Sequence, residues 1–310
     1  MACIKALLEQ GAQALLASSC SPELDASVLL AHVLERESVY LRTWPEREVS
    51  LTCQREFEQF IGRRAAGQPV AYLLGYKDFW DYRFNVDEHT LIPRPETELL
   101  IELVLQRLSD QDALNILDLG TGSGAIAITL AKQCSLWNVW ATDISAKALS
   151  KARENAQLLD AGNVMFSLGA WYEALSPEVV SALSLQDRTD VSLASESHPE
   201  KPVSFDAIVA NPPYIAADDE HLSAQVASSE PRQALISAHQ GFADLESIIA
   251  GASGYLVPGG WLMLEHGFQQ GPGVRDLFEQ YGFDAVETCQ DLAGHDRCSL
   301  GRRSDTVAME

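Results

Sequence analysis

The sequence lacks paired cysteines, clustered histidines and long apolar runs. Its six cysteines are scattered without a C-x-x-C pair, and its seven histidines form no H-x-x-x-H pattern. This spacing provides neither a disulfide framework nor a ligand set for a structural metal. No apolar stretch approaches the ~20 residues that a membrane-spanning helix needs, and the first residues lack the features of a secretory signal. We therefore expect a soluble, cytoplasmic protein with no metal site and no membrane contact.

Basic residues are also scarce. The 310 residues include 22 lysines and arginines against 44 aspartates and glutamates, a net charge of −22. Such a surface repels a phosphate backbone, so stable binding of nucleic acid through a broad basic face is not expected. A charge of this sign serves either solubility or steering toward a basic partner, and the sequence leaves both open. With 46% hydrophobic residues the chain has enough apolar surface for a folded core.

The pattern of residues predicts two parts joined by a hairpin. Residues 1–75 show helical periodicity and predict a small helical bundle. Its predicted helices are Ala2–Ala17, Asp25–Leu34, with a start signal at Ser21-Pro22, and Leu51–Ala66. Residues 79–86 alternate apolar and polar side chains, as a strand or hairpin does. We place a hairpin linker at 76–95 and a catalytic domain at 96–310.

The catalytic domain alternates strands and helices, which predicts an α/β fold with a mostly parallel sheet covered on both faces. The predicted strands are Asn115–Leu119, Val139–Thr142, Val164–Leu168, Phe205–Ala210, Trp261–Glu265, Phe283–Thr288 and Arg297–Leu300. The predicted helices are Ala125–Lys132, Ala146–Leu158, Ala243–Gly251 and Gly273–Tyr281. Residues 176–203 interrupt this alternation with low hydrophobicity, and we expect a flexible surface insertion there.

A glycine-rich loop follows the first of these strands and precedes a helix. Its sequence is Gly120-Thr121-Gly122-Ser123-Gly124, and Asp143 lies 19 positions beyond the last glycine. Backbone N–H groups at such a loop favour a carboxylate or phosphate, and an acidic residue at that distance can accept both hydroxyls of a ribose. The alternatives are an NAD site and a turn that only packs strand on helix. The G-x-G-x-G spacing, with Asp118 just before it, resembles the first motif of class I S-adenosylmethionine-dependent methyltransferases.

A second motif, Asn211-Pro212-Pro213-Tyr214, follows the predicted strand Phe205–Ala210 directly. Asn211 offers a carbonyl acceptor, the prolines stiffen the backbone, and the Pro212 carbonyl is a second acceptor. Tyr214 offers an aromatic face for a flat group. A nitrogen with two N–H donors matches two acceptors, so we predict that these four catalytic residues hold a planar amide or amino group. A rigid turn without chemistry is the alternative.

The two motifs belong to a longer resemblance. The chain resembles the HemK/PrmC family, the N5-glutamine methyltransferases of peptide chain release factors. The further segments that carry this resemblance are Gly67–Gly75, Leu91–Glu98, Glu230-Pro231, Ala234-Leu235, Leu264–Gly267 and Asp291–Arg302. The family implies a Rossmann-like class I fold with a seven-stranded, mostly parallel sheet. It also implies that the N-terminal helical bundle docks the substrate protein.

The resemblance also implies roles for individual residues. S-adenosylmethionine would be the cofactor, with Gly120–Gly124 at its methionine end, Asp143 on its ribose and Trp171 beside its adenine. Asn211 and Pro212 would bind the glutamine amide in the Gly-Gly-Gln loop of a release factor, and Tyr214 would pack on it. The implied cofactor-binding residues are Gly120, Thr121, Gly122, Ser123, Gly124, Asp143, Trp171 and Asn211. The chain departs from the family at Ala170, where an acidic residue is usual.

Three other functions share parts of this pattern. An N6-adenine methyltransferase acting on DNA or RNA would use the same Asn-Pro-Pro-Tyr motif, but the charge of −22 and the lack of a basic recognition domain disfavour it. A ribosomal-protein glutamine methyltransferase is disfavoured by the run Pro93–Glu98. A binding protein without catalysis would have no need of the intact motif. The sequence thus favours the release-factor enzyme.

Overall fold

The computed structural model describes residues 2–175, 204–219 and 229–304. The insertion expected at 176–203 lies outside these residues. Contacts divide the described chain into two compact units. The first unit takes in residues 2–77 and 86–88 with Ser229, and the second takes in residues 78–85, 89–175, 204–219 and 230–304.

The first unit is helical. Its helices are α1 (Ile4–Leu15), α2 (Pro22–Val33), α3 (Ser38–Thr43), α4 (Leu51–Ala65) and α5 (Val70–Leu74). In α1 the helical spacing turns Ile4, Leu7 and Leu15 into the core. Gly11 allows the close approach of α4, because a Cβ atom there would lie 2.8 Å from the ring of Phe57. These contacts confirm the predicted helical bundle.

A hairpin follows the bundle in sequence. Strands β1 (Tyr76–Phe79) and β2 (Tyr82–Asn85) form a two-stranded sheet. Trp80 adopts a left-handed backbone conformation in the tight turn between them, with a φ of 54°. The apolar and polar alternation of residues 79–86 therefore predicted this hairpin correctly.

The second unit is built on a seven-stranded sheet with the order β5-β4-β3-β6-β7-β9-β8. Its strands are β3 (Asn115–Leu119), β4 (Asn138–Asp143), β5 (Val164–Leu168), β6 (Phe205–Ala210), β7 (Leu256–Glu265), β8 (Phe283–Gln290) and β9 (Asp296–Arg303). Strands β3 to β7 pair in parallel, whereas β9 is antiparallel to β7 and to β8. This topology is that of a class I methyltransferase, as the resemblance implied.

The sheet has an apolar core on each face. Because side chains alternate along a strand, Ile116 of β3 and Val209 of β6 enter one core, while Leu117 and Ile208 enter the other. Both cores consist of buried side chains, most of them with no exposed surface. The continuous apolar runs in the central strands follow from burial on both faces.

Helices cover both faces of this sheet. They are α6 (Glu98–Arg107), α7 (Ala125–Gln133), α8 (Ala146–Leu158), α9 (Ala243–Ala252) and α10 (Gly271–Gln280). Short 3₁₀ turns lie at Pro95–Thr97, Trp171–Leu175 and Arg232–Ala234, and an irregular helical turn lies at Ala238–Gly241. Among the described residues, no helix combines the length and the apolarity that crossing a membrane requires.

Candidate active site

The register of the parallel strands brings four segments to one edge of the sheet. Leu119, the last residue of β3, pairs with Thr142 of β4 and Ala210 of β6, and Ala210 also pairs with Leu264 of β7. The residues that follow these positions are Gly120, Asp143, Asn211 and Glu265, one after each strand position. Neighbouring strands lie about 4.8 Å apart, so the glycine loop and the Asn-Pro-Pro-Tyr motif begin side by side. This carboxyl edge is where α/β folds bind ligands.

The glycine loop is tied to the end of β4. The amides of Gly120 and Thr121 both donate to the carbonyl oxygen of Thr142, at 2.9 and 2.8 Å. Gly120, Gly122 and Gly124 all have left-handed φ angles, between 58° and 86°, which glycine adopts without steric cost. The loop therefore needs glycine at each of these positions.

Each glycine has different surroundings. At Gly124 a Cβ atom would lie 2.6 Å from the Cδ1 atom of Ile128, so this position is fully packed against α7. At Gly120 a Cβ atom would lie 3.3 Å from the indole ring of Trp171. At Gly122 no atom of the described residues lies within 4 Å of such an atom. The structure thus brings Trp171 to the loop, and it leaves open space beside Gly122.

Asp143 closes the loop from the end of β4. Its Oδ2 atom accepts a hydrogen bond from the amide of Gly122 at 2.9 Å, and its Oδ1 atom accepts one from the amide of Ser145 at 2.8 Å. Each carboxylate oxygen has a further lone pair. Burial raises the pKa of Asp143 above its usual value, against the opposing effect of these two hydrogen bonds.

The loop offers fewer free amides than its sequence indicates. Besides the three amides already described, that of Gly124 donates to the carbonyl oxygen of Thr121 at 2.9 Å. Among the described residues only the Ser123 amide of this loop has no acceptor. The Thr121 side chain is also engaged, because its hydroxyl donates to Asp118 at 2.6 Å. The loop amides therefore shape the turn, and Ser123 is the position left for an anion.

Asp118 lies beneath the loop and is fully buried. Its Oδ2 atom accepts hydrogen bonds from the Thr121 hydroxyl and, at 3.2 Å, from the amide of Ala127. Its Oδ1 atom has no partner within the described part of the chain. Burial raises the pKa of Asp118 to about 7, and the nearby charge of Asp143 contributes to the rise. An unpartnered, buried carboxyl oxygen at this position is a candidate acceptor for a bound ligand.

Asn211 presents one end of its side-chain amide to the protein. Its Nδ2 atom donates a hydrogen bond to the hydroxyl oxygen of Thr97 at 3.1 Å. No described residue donates to the Asn211 side-chain carbonyl or to the backbone carbonyl of Pro212. The two acceptors predicted from the sequence are therefore both without a partner in the described protein. Pro212 itself is buried and Pro213 is half-buried, so the backbone between Asn211 and Tyr214 is held.

Tyr214 is fixed at both ends. Its hydroxyl donates to the Oε1 atom of Glu265 at 3.1 Å, and its backbone carbonyl accepts from the side-chain amide of Gln270 at 3.1 Å. Burial and the carboxylate of Glu265 raise the pKa of Tyr214 well above its usual value. The phenol is therefore neutral at physiological pH and acts as a hydrogen-bond donor.

Glu265 is a functional candidate that the sequence reasoning missed. It is 1% exposed, and its side chain accepts a hydrogen bond from the hydroxyl of Tyr214. Burial raises the pKa of this carboxyl, and the nearby Thr97, Arg297 and Tyr214 oppose the rise. Both Thr97 and Glu265 lie within segments that carried the family resemblance. The family resemblance of these two segments was the sequence signal for Thr97 and Glu265, but it implied no role for either residue.

The segment before Thr97 is anchored by a second buried acid. Glu230 forms an ion pair with Arg94 and accepts the backbone amide of Ile92 at 3.2 Å. The Glu230 side chain is 2% exposed. These contacts hold the proline-rich run Pro93–Pro95 in place, and Thr97 ends the 3₁₀ turn that follows it.

Two family models match the chain. One, described as the PrmC N-terminal domain, matches residues 6–75, and the other, described as a methyltransferase domain, matches residues 110–289. Residues 6–75 coincide with the helical first unit, and the methyltransferase model spans the glycine loop and the Asn-Pro-Pro-Tyr motif. The two models thus match different parts of the chain, one in each unit.

Three proteins that are similar over most of this chain carry the same description. A release factor glutamine methyltransferase of Aliivibrio fischeri is 43% identical over 300 residues, covering 96% of this chain and 97% of that protein. Those of Vibrio cholerae and Shewanella oneidensis are 40% and 38% identical, each over 97% of this chain and 96% of theirs. These alignments extend across both units of the chain. The chain therefore belongs to the release factor glutamine methyltransferase family.

Proposed function

We propose that this chain transfers a methyl group from S-adenosylmethionine to the side-chain amide nitrogen of the glutamine in the Gly-Gly-Gln loop of a peptide chain release factor. One observation carries the proposal. Asn211 follows β6 directly beside the glycine loop, and its own amide nitrogen is occupied by Thr97. The unpartnered carbonyl of Asn211 is therefore available to an N–H donor, and its neighbour Pro212 supplies a second acceptor.

The residues at the sheet edge fit S-adenosylmethionine. Among the described residues the space beside Gly122 is open and one buried oxygen of Asp118 has no partner, and each oxygen of Asp143 retains a lone pair. When bound, S-adenosylmethionine supplies a methyl group on a positively charged sulfur, which is already an activated leaving group. Asp143 would hold the ribose, Trp171 would lie beside the adenine, and residues 120–124 would hold the methionine end. The carboxyl groups of Asp118 and Asp143 favour a ligand of positive charge.

The chemical role of Asn211 and Pro212 is to orient the amide nitrogen that receives the methyl group. A primary amide has two N–H donors, and the two carbonyl oxygens can accept one each. When both N–H groups are held, the weakly nucleophilic lone pair of the nitrogen points in one fixed direction. Such positioning affects mainly the rate of methyl transfer. Tyr214, held through its hydroxyl by Glu265, would pack on the amide plane.

The same two acceptors explain the choice of glutamine over glutamate. A carboxylate has no N–H donor, so its lone pairs would face those of the carbonyl oxygens of Asn211 and Pro212. Both carbonyl oxygens would then lack a hydrogen-bond donor. A site built for N–H donors rejects an analogue without them strongly, because buried acceptors are costly to leave unsatisfied.

The relatives support a release factor as the protein substrate, because their names state that they are release factor glutamine methyltransferases. The pocket contacts only a few atoms around the glutamine. Discrimination among substrate proteins therefore needs a larger contact surface between the enzyme and its substrate protein. We assign that contact to the helices of the first unit, α1 to α5. The net charge of −22 would steer the chain toward a basic surface.

The test is methyl transfer by the full-length chain to an intact release factor, with the product mass and the modified residue determined by mass spectrometry. Parallel reactions contain the Gln→Glu release factor, the isolated loop peptide and duplex DNA. We expect one methyl group on the glutamine of the intact protein, weak transfer to the peptide and none to the other two. Methylated adenine in the DNA, with the release factor unmodified, would favour an N6-adenine methyltransferase.

A further inference from the structure

A chain of hydrogen bonds in the second unit ends on the backbone of the Asn-Pro-Pro-Tyr motif. Its last member is the side-chain amide of Gln270, a buried residue directly before α10. The Oε1 atom of Gln270 accepts from the amide of Gly267 at 2.8 Å, and its Nε2 atom donates to the carbonyl oxygen of Tyr214 at 3.1 Å. Gln270 therefore joins the loop that follows β7 to the last residue of the motif.

The orientation of the Gln270 amide is determined by its partners. A backbone N–H group can only donate and a backbone carbonyl can only accept, so the Oε1 atom must face Gly267 and the Nε2 atom must face Tyr214. The backbone of Gln270 is held as well. Its N–H group donates to the carbonyl oxygen of Gly267 at 2.9 Å, and its carbonyl oxygen accepts from the amide of Val274 at 2.9 Å. The donor that reaches Tyr214 is thus fixed in place.

His266 supplies a second donor to the carbonyl oxygen of Gly267. Its Nδ1 atom lies 2.9 Å from that oxygen, and its Nε2 atom lies 2.8 Å from the Oγ atom of Ser299. Because a carbonyl oxygen only accepts, Nδ1 carries a proton. Burial lowers the pKa of His266 below its usual value, so the ring is neutral and its Nε2 atom accepts from the Ser299 hydroxyl. Neither His266 nor Ser299 has exposed surface.

The chain continues from Ser299 through one more hydroxyl to α10. Ser299 gives its single proton to His266, so the hydroxyl of Thr288, which lies 2.7 Å away, donates to the Ser299 oxygen. Thr288 in turn accepts from the guanidinium of Arg275 at 2.7 Å. Thr288 and Ser299 are register partners on β8 and β9. Each link from Arg275 to Tyr214 therefore has one direction and a matched donor and acceptor.

The peptide of Tyr214 is closely packed as well as hydrogen-bonded. Gly241 has a left-handed φ of 89°, and a Cβ atom there would lie 2.2 Å from the Tyr214 carbonyl oxygen. Pro212 and Pro213 restrict the backbone before Tyr214, so a shift of the Tyr214 peptide also moves the Pro212 carbonyl. The position of Tyr214 thus determines where the second acceptor for the substrate amide lies.

We propose that Gln270 and His266 are positioning residues for methyl transfer. His266 fixes the peptide of Gly267, and Gln270 fixes the peptide of Tyr214 against it. The inference rests on the proposed function, because it concerns the segment that would hold the substrate amide. Neither residue is among the predicted contacts with the substrate or the cofactor, so both act through the backbone of the motif.

The first test compares Gln270→Glu with Gln269→Glu in the full-length chain. Glutamate has the shape of glutamine, but its carboxylate has no donor for the Tyr214 carbonyl oxygen. A negative charge beside the start of α10 is favourable for the helix, so this variant should fold. Gln269 is the exposed neighbour, and its variant adds the same charge without removing the hydrogen bond. For each variant we would measure kcat and KM with the intact release factor, the cofactor Kd and the thermal midpoint.

We expect Gln270→Glu to lower kcat per active site by about 10–100-fold, the scale of a displaced reacting group. KM and the cofactor Kd should stay close to the wild-type values, and Gln269→Glu should keep the wild-type kcat. Wild-type kcat in Gln270→Glu would overturn the proposal. An equal fall of kcat in both variants would also overturn it, because the added charge would then be the cause.

The second test uses two replacements of His266 that each keep one of its contacts. The side-chain amide of asparagine can take the place of Nδ1 and donate to Gly267, whereas that of glutamine reaches the position of Nε2 and keeps the contact with Ser299. We expect His266→Asn to retain most of kcat per active site and His266→Gln to lose it. A space-filling role predicts the opposite order, because glutamine is closer in volume to histidine. A kcat of His266→Gln equal to or above that of His266→Asn would therefore overturn the proposal.

The two tests also separate this inference from the proposed function. If neither His266 variant folds, the comparison of Gln270→Glu with Gln269→Glu decides alone. If the wild-type chain itself fails to methylate the intact release factor, the proposed function fails. If the wild type transfers the methyl group and the variants match it, only this inference fails.

Discussion

Three carboxyl groups, those of Asp118, Asp143 and Glu265, have a raised pKa for the same physical reason. Burial is the largest cause in each case, and local hydrogen bonds oppose it. Asp118 and Glu265 each also retain one oxygen without a partner in the described protein. The carboxyl edge of the sheet thus holds several acids that a cation would stabilise, which is the charge that a sulfonium cofactor carries.

The first prediction concerns the pH dependence of stability through Asp118. The pKa of this carboxyl is about 7 in the folded chain, against an ordinary value of 3.8, so the folded state binds the proton more tightly. This group therefore contributes stability below about pH 4, and the contribution is lost as the pH rises to about 7. Asp118→Asn, which imitates the protonated acid, should gain stability relative to wild type over this window, by up to about 1.4 kcal/mol per pH unit.

Urea unfolding at about pH 5, about pH 6 and about pH 8 would measure this difference. The matched control is Asp276→Asn, since Asp276 is an exposed residue of α10. Wild type and Asp118→Asn curves that run parallel over the whole range would show that the Asp118 carboxyl is not perturbed.

The second prediction concerns Asp143 and the cofactor. Asp143→Ala removes an acceptor proposed for the ribose, and it should weaken S-adenosylmethionine binding by about 1–3 kcal/mol in a calorimetric titration. The variant also frees the amides of Gly122 and Ser145, so part of the loss has a structural origin.

Ser145→Ala separates these two effects. The Ser145 hydroxyl accepts the amide of Ala148 at the start of α8, at 3.2 Å, and its loss disturbs the same helix end without removing the carboxylate. We expect Ser145→Ala to bind the cofactor as wild type does. Equal weakening in both variants would remove Asp143 from the cofactor site.

At the scale of elements, burial decides how well the sequence predicts structure. Strands β3, β5 and β6 begin and end where they were predicted. The central strands β3 and β6 are apolar runs bounded by loop residues because they are buried on both faces, whereas β5 lies at the edge of the sheet. Strand β7 begins at Leu256, five residues before its predicted start. This extension contains Pro258 and two glycines, and the strand passes through them with an irregular register against β6.

The short helices were not predicted. Helix α3 has six residues and α5 has five, which is too few for a helical period to repeat. Helix α2 was predicted correctly, with Pro22 in its first turn. Ser21 stands at its N-cap position, but its side chain accepts no capping hydrogen bond and contacts Asp25 instead. The position of the start was thus predictable, whereas the contact was not.

The third prediction concerns the glycine loop as an element, and it compares Gly124→Ala with Gly122→Ala. Both positions have left-handed φ angles, which cost alanine about 1 kcal/mol. Only at Gly124 would the new methyl group lie 2.6 Å from Ile128. We therefore expect Gly124→Ala to lose about 1–3 kcal/mol more than Gly122→Ala in urea unfolding.

Gly122→Ala should instead affect ligand binding, because its methyl group enters the open space beside the loop. We expect weaker S-adenosylmethionine binding with a small loss of stability. Equal losses of stability in the two variants would mean that the loop does not pack against α7 as described.

At the scale of the whole molecule, the site joins parts that are distant in sequence. The glycine loop, Asp143 and the Asn-Pro-Pro-Tyr motif were predictable because each follows an apolar strand, and parallel strands align their ends. The hydrogen bond between Thr97 and Asn211 links residues 114 positions apart. No local pattern encodes such a pairing, since it depends on how the Pro93–Pro95 run is anchored. The engagement of the loop amides within the chain was likewise invisible in the sequence.

The most direct test of the central claim, that the Asn211 carbonyl orients the amide nitrogen, is the kinetics of Asn211→Ala with the intact release factor at saturating S-adenosylmethionine. Asn138→Ala, at an exposed asparagine of β4, is the control. We expect kcat to fall by about 100-fold in Asn211→Ala, with the cofactor Kd of wild type. An unchanged kcat, or a defect that lies entirely in cofactor affinity, would contradict the account.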